Sequence, residues 1–287
     1  MSFCVGRKVD PFQPPVTALL DFLWGIYKCS GGSSSYGYRT MNVIRSAVSA
    51  VAHIDNKPAG QHPLVCRFLK AVFNEKPALP RYRSVWNPDV VLSYLRELGH
   101  NSNLSLIQLS RKLTMLMLLT SGQRGQTLYV LDLRNMSSSG DGIKFCIGDL
   151  LKNSRANFHL SEVCFNPFTV DSRLCVVETL SHYLERTRDI RGVITRLLIT
   201  TRHPIKVASR DTIRIWTREV MVAAGIDLAM FQPASTRASS SSKAALSVSL
   251  GLILRTGGWS SDSVFGRFYN KPLVDVGGFA NAVLSVS

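Results

Sequence analysis

Residues 233–272 read PASTRASSSSKAALSVSLGLILRTGGWSSDSVFGRFYNKP. Arg237 opens a small-residue run with helical character. Twenty-two residues later Gly257, Gly258 and Trp259 make a turn, and a second short element runs from there to Tyr269. Two helices and a turn would bring a guanidinium, an indole N–H and a phenol to one point. Those groups share a chemistry. The arginine fork donates two parallel hydrogen bonds to a phosphate and keeps its charge. The indole offers one donor and no acceptor, and a tyrosine hydroxyl can serve as a nucleophile.

Working outward, two further candidates precede this stretch. Leu104–Thr120 is the most apolar helical segment of the chain. It stops at Ser121-Gly122, and Arg124 follows directly before another helical turn over 125–133. Beyond it the period changes. Ile143, Phe145 and Ile147 alternate with polar neighbours, Phe158 and Leu160 suggest a returning strand, and Lys152-Asn-Ser-Arg-Ala-Asn supplies the turn. Lys152 then sits near a hairpin in a small antiparallel sheet. Breaking a DNA phosphodiester without a metal needs a nucleophile, fixed positive charge on the non-bridging oxygens, an acid for the leaving oxygen and help with the nucleophile's proton. Arg124 and Arg237 suit the second role, Lys152 the third and Tyr269 the first. Trp259 adds a donor. Singly, each residue has a plainer reading: Tyr269 as a core aromatic beside Phe265 and Phe268, Trp259 as packing, Arg124 as surface. Lys144 and Arg155 are rivals of Lys152.

The order Arg124, Lys152, Arg237, Trp259, Tyr269, with the wording GQRGQTL, STRAS, SKAA, GGWSS and FYNKP, resembles the tyrosine recombinases, the phage-integrase-like family. The wording is most similar to the recombinases of DIRS-like retrotransposons, and the Gly-Gly-Trp is similar to that of the Cre recombinase. The resemblance covers residues 80–272. It implies a site-specific recombinase or integrase of a mobile element that cuts and rejoins DNA through a 3′-phosphotyrosine. It implies no metal or nucleotide cofactor, double-stranded DNA as partner, and a homo-oligomer, a tetramer on paired sites. A type IB topoisomerase-like enzyme and a non-catalytic DNA-binding descendant of a recombinase are the alternatives. Two departures stand out. The family's His-x-x-Arg reads Ala234-Ser235-Thr236-Arg237 here, and no histidine follows His203. The chain is therefore expected to be impaired, whether Ala234 is natural or introduced. Tyr269 lies ten residues after Trp259, one more than usual, and Phe268 occupies the usual position.

The fold class expected is mainly α with a small antiparallel sheet, α+β, in two domains. Residues 1–78 form a helical domain and residues 79–287 the catalytic domain with a C-terminal tail. In the first, Pro14-Pro15 opens a helix with Leu19, Leu20, Leu23 and Tyr27 at helical spacing. A second helix from Tyr36–Arg39 carries Met41, Ile44, Val48 and Val51. A third starts at Pro63 with Val65, Phe68, Leu69, Val72 and Phe73, after a loop over 56–61. Arg39, Arg45, Arg67 and Lys70 lie off these seams as candidate DNA contacts, and the resemblance makes the bundle one jaw of a clamp on DNA. A proline-containing linker follows Glu75. Asn87-Pro88 reads as a cap and first residue, with Val90, Val91, Leu95 and Leu98 facing inward. In the tail, Phe279, Ala282, Val283 and Val286 share one helical face.

Net charge is +15, spread over both domains rather than held in one arm, which favours a polyanionic partner. The six cysteines show no CxxC spacing, which argues against zinc and for reduced thiols. No apolar run reaches the ~18 residues that cross a bilayer, and the start lacks a signal-peptide core. A soluble protein without a membrane partner is expected, in the nucleus after synthesis in the cytoplasm.

Overall fold

Helix caps written into the sequence set several of the boundaries in the computed structural model. It describes residues 2–29, 36–76, 83–152, 154–157, 159–259 and 261–273. Phe158 and the tail seam at 279–286 lie outside the described residues, as does most of the expected linker. Contacts divide the chain into two units, residues 1–81 and 82–287. Fold class is as expected, mainly helical with small antiparallel sheets.

The first unit holds α1 (Ser2–Arg7), α2 (Val16–Cys29), α3 (Tyr38–Ser49), a ribbon of β1 (His53–Ile54) with β2 (Lys57–Pro58), and α4 (Pro63–Glu75). Leu19, Leu23, Tyr27, Met41, Val65, Leu69 and Val72 bury into one core. Val51 and Phe73 do not join it. Val51 falls beyond the end of α3, which is capped at Ala50, and Phe73 is off the Val65–Leu69–Val72 stripe. The loop expected over 56–61 is partly the ribbon, turned by left-handed Asp55 and Asn56. Arg39, Arg67 and Lys70 are exposed. Arg45 is different: it is half-buried, and its Nη1 donates to the Gly60 carbonyl at 3.3 Å, bracing the turn before α4.

In the second unit, Asn87 accepts the Asp89 amide and opens α5 (Pro88–Glu97) with proline in its first turn. Val91 and Leu95, four apart, take the buried stripe. Val90 is one residue, about 100°, further round, and is 45% exposed. Ser105 and Gln108 form a reciprocal capping box for α6 (Leu106–Ser121). Leu109, Leu113, Leu116 and Met117 of α6 are fully buried, each worth about 1.5–3 kcal/mol by transfer from water. α6 ends at Gly122 in a left-handed conformation, and α7 (Gly125–Val130) follows.

The three-stranded sheet has the antiparallel order β3 (Met136–Ser139), β4 (Gly142–Cys146), β5 (Glu162–Phe165). Its return strand comes later than the Phe158–Leu160 expected. The reason is register: Val163 pairs with Phe145 and Phe165 with Ile143, so the two inner faces coincide only there. The remaining helices are α8 (Val176–Thr187), α9 (Arg210–Ala223), α10 (Thr236–Ala244), α11 (Leu250–Gly257) and α12 (Asp262–Phe268). α8, α9 and α10 all pack on α6, which makes α6 the axis of the unit. Among the described residues no helix is long and apolar enough to cross a membrane.

Buried Asp132 fastens the end of α7 to the segment at 195–197. It accepts Arg134 Nε at 2.9 Å and Nη2 at 3.0 Å, together with Thr195 Oγ1 at 3.0 Å. Hydrogen bonds from Arg134, chiefly, hold this carboxyl far below the usual carboxylate range. A depressed folded-state pKa gives stability that is present above the unfolded value near 3.9 and lost as pH falls toward the folded one. Asp132→Asn is therefore expected to lower the melting temperature at pH 7, with the gap to the parent narrowing below pH ~4. An equal deficit at pH 7 and pH 2 would show that the charge is not what matters.

Candidate active site

Four chain segments converge beside the C-terminal end of α6. The first is the GQRGQT turn. Its left-handed Gly122 lets the chain reverse, and Arg124 becomes the residue preceding α7, with extended backbone and a half-buried side chain. Arg124 Nη2 donates to the Tyr269 hydroxyl at 3.2 Å. The glutamines flanking Arg124 each tie down another segment. Gln123 is buried and donates to the Thr256 carbonyl at 2.7 Å, just ahead of the Gly-Gly-Trp turn, while Thr127 braces it from behind at 3.2 Å. Gln126 accepts the Lys152 amide at 3.2 Å.

The second segment is α10. Arg237 lies in its first turn and is only 3% exposed. Nη1 donates to the Gly122 carbonyl at 2.6 Å, and the guanidinium lies 3.8 Å over the Trp259 ring and 5.2 Å from the centre of the Tyr269 ring. Burial first, then the positive charge of Arg124, pushes its pKa down to about 9, with Tyr269 opposing. Charge at Arg237 is thus carried at a cost that an anion would relieve.

The third segment is the turn after α11. Gly258 ends that helix in a left-handed conformation at φ 69°, and Gly257 makes room for the indole. A Cβ at 257 would lie 1.8 Å from Trp259 Cζ3, so the buried indole would have to move to admit one. Trp259 is 6% exposed, edge-on to Phe265 at 5.1 Å and to Tyr269 at 5.0 Å. Tyr269 itself caps α12, bonded through its amide to the Phe265 carbonyl.

Thr236 Oγ1, Arg237 Nε and Nη2, Ser239 Oγ and Trp259 Nε1 are all buried without a hydrogen-bond partner among the described residues. Orphaned buried donors cost about 1–3 kcal/mol each. The three nitrogens among them, two from Arg237 and one from Trp259, suit an acceptor with several oxygens.

The fourth segment is the β4–β5 connection. Lys152 is exposed there, and it lines a recess of about 20 Å³ with Arg124, Gln126, Gly257 and Gly258. Its rival Lys144 points from the outer face of β4 toward Glu162, 3.6 Å away. The connection is braced by a histidine that sequence reasoning missed. His159 Nε2 lies 2.9 Å from the Ile147 carbonyl, and Nδ1 lies 2.8 Å from Ser154 Oγ, which also accepts the Leu151 amide. With both ring nitrogens engaged, His159 acts as a strut.

Ala234 lies exposed on the 3₁₀ turn Pro233–Ser235, three residues before Arg237. Neighbouring Ser235 is committed to the fold, donating to the Gln232 carbonyl at 2.7 Å and accepting Trp86 Nε1 at 2.9 Å. Arg124, Arg237, Trp259 and Tyr269 therefore meet, Lys152 stands at their border, and Ala234 offers no polar group.

No protein-family model matches the sequence, and no curated protein matches it. Solved structures do share the fold. One is the Tn1549 transposon integrase in complex with transposon right end DNA, 13% identical over 94% of this chain and 85% of that one, TM-score 0.57. A second is the XerH site-specific recombinase bound to palindromic difH substrate in a post-cleavage complex, 12% identical over 88% and 68%, TM-score 0.56. A lambda integrase dimer bound to a COC′ core site is 16% identical over 91% and 83%, TM-score 0.53. At these identities the likeness is one of fold. It is the fold of tyrosine recombinases and integrases.

Proposed function

We propose that this chain is a DNA strand-transfer protein of the tyrosine recombinase type. The observation that carries the reading is the Tyr269 hydroxyl held by Arg124 with Arg237 and Trp259 against its ring. In the proposed step Tyr269 Oη attacks phosphorus, and an Oη–P bond forms as the bond from phosphorus to the 5′ oxygen breaks. Arg124, Arg237 and the Trp259 N–H stabilise the non-bridging oxygens. Lys152 gives its proton to the departing 5′ oxygen. The phenol proton passes to water, because Ala234 offers no base. The covalent 3′-phosphotyrosine keeps the bond energy for rejoining.

The finer reading is a recombinase of a DIRS-like mobile element, acting in the nucleus as a tetramer on paired DNA sites. The charge of +15 supports a DNA partner, and the neighbours solved with DNA support the same class of ligand. One observation favours a second reading. The exposed methyl of Ala234 suits a descendant that binds DNA without cutting it.

Two measurements test this. Affinity for duplex DNA is expected to fall by about 10³-fold or more between 50 and 200 mM salt, as counterions are released from several neutralised phosphates. A flat response would remove DNA as the partner. A nicked duplex that loses its short leaving strand should trap protein covalently at Tyr269. Binding with no trapped adduct, even after restoration of a base at 234, would favour the second reading.

A further inference from the structure

Ser239–Ser242 fill the middle of α10, and the strand-transfer step uses none of them. Ser240 and Ser241 turn their hydroxyls back to the Arg237 carbonyl, at 3.2 and 2.7 Å, as serines inside helices do. Ser242 instead reaches another segment. Its hydroxyl donates to the Tyr269 carbonyl at 2.7 Å and accepts the Lys271 amide at 3.0 Å, and the residue is 3% exposed. A hydroxyl has one proton and two lone pairs, so both bonds form at once.

These bonds straddle Asn270, where the chain has just left α12. The Tyr269 and Asn270 amides bond back to the Phe265 carbonyl at 2.8 and 3.0 Å. Tyr269 already departs from helical geometry, with φ −123° and ψ −33°. Further along, Val85 N donates to the Pro272 carbonyl at 2.9 Å. Between the helix end and that tie, Ser242 grips the backbone of the very residue that carries the phenol.

We propose that Ser242 is a positioning residue for Tyr269. It latches the main chain of Tyr269 and Lys271 to the helix that carries Arg237, fixing the spacing between phenol and guanidinium. The proposal rests on the strand-transfer reading for its purpose, although the latch itself is a matter of geometry. A misplacement of about 1 Å at a reacting group can cost about 10²-fold in rate. A buried position with two polar partners also explains serine there, because alanine would take the hydroxyl away from both the Tyr269 carbonyl and the Lys271 amide. Threonine keeps the hydroxyl, and Ser242 borders an open recess of about 460 Å³ with Ala245, Asn270 and Lys271.

The test compares Ser242→Ala and Ser242→Thr in the full chain carrying Ala234→His. Hydrogen exchange at the Lys271 amide should quicken roughly tenfold or more in the alanine variant and return to the parental rate in the threonine variant, as expected for a lost and restored hydrogen bond. The single-turnover rate of adduct formation on a nicked duplex should fall about 10- to 100-fold in the alanine variant. DNA affinity should stay unchanged, and threonine should recover the rate. Parental exchange at Lys271 in Ser242→Ala overturns the latch. So does a rate that falls only in step with DNA affinity, or one that threonine fails to rescue while exchange is restored. If the Ala234→His parent forms no adduct at all, the strand-transfer reading fails, and exchange at Lys271 alone decides for or against the latch.

Discussion

Ala234→His is expected to raise covalent adduct formation on a nicked duplex by about 10² to 10⁴, the usual worth of one positioned acid–base group. The geometry allows the change. Position 234 is exposed on a 3₁₀ turn, so an imidazole meets no packed neighbour. Position 234 lies three residues before Arg237, across the join between that turn and α10. Near the turn the Ser235 hydroxyl is spent on Gln232 and Trp86 and the His159 ring on Ser154 and Ile147, while the buried Thr236 and Ser239 hydroxyls are far weaker bases than an imidazole. The adduct should appear on a denaturing gel and map by peptide analysis to Tyr269. DNA affinity should barely move, since a neutral imidazole adds little to phosphate binding. A variant that binds the duplex and forms no adduct would leave the DNA-binding descendant as the better reading.

In the same background, Arg237→Ala is expected to reduce adduct formation by about 10² or more, the loss seen when a single preorganised donor to a developing oxyanion is removed. Its effect on stability should run the other way from that of an ordinary buried residue. Arg237 carries charge where burial and Arg124 disfavour it, and among the described residues only Nη1 has a hydrogen-bond partner, the Gly122 carbonyl. Removing it relieves a desolvated charge and two orphaned donors. The melting temperature should hold or rise while the chemistry is lost. A clear fall in melting temperature, with adduct formation intact, would make Arg237 a structural residue. Arg237→Lys separates charge from geometry, because an ammonium keeps the charge and loses the planar fork.

Much of the fold was legible because the signals are local. The Asn87-Pro88 start of α5 and the stop of α6 at Ser121-Gly122 are each read within a few residues, and both stand in the structure. Strand β3 was not legible. Its Met-Ser-Ser-Ser has no alternation, and it exists as a strand because β4 offers it an edge. The return strand was misread because Phe158 and Leu160 mimic the period of two, whereas inner-face register with Phe145 selects Val163 and Phe165. At the site, Arg124 and Tyr269 are 145 residues apart, a pairing no local pattern contains; motif order alone suggested it. Gln123, Gln126, His159 and Ser242 were missed because each acts through one or two hydrogen bonds to a distant carbonyl or amide. Such bonds leave no period in a sequence.

The tight approach of Gly257 to the Trp259 ring also bears on how this site can change by descent. A side chain at 257 would overlap the indole, so the two positions cannot drift independently. Alanine at 257 is expected to be harmful while tryptophan stays at 259 and to become tolerable once 259 shrinks, a coupling of the kind neighbouring residues show. A lineage that abandons the indole is thereby freed at 257. The way back is then closed, because a tryptophan regained opposite an alanine has nowhere to lie.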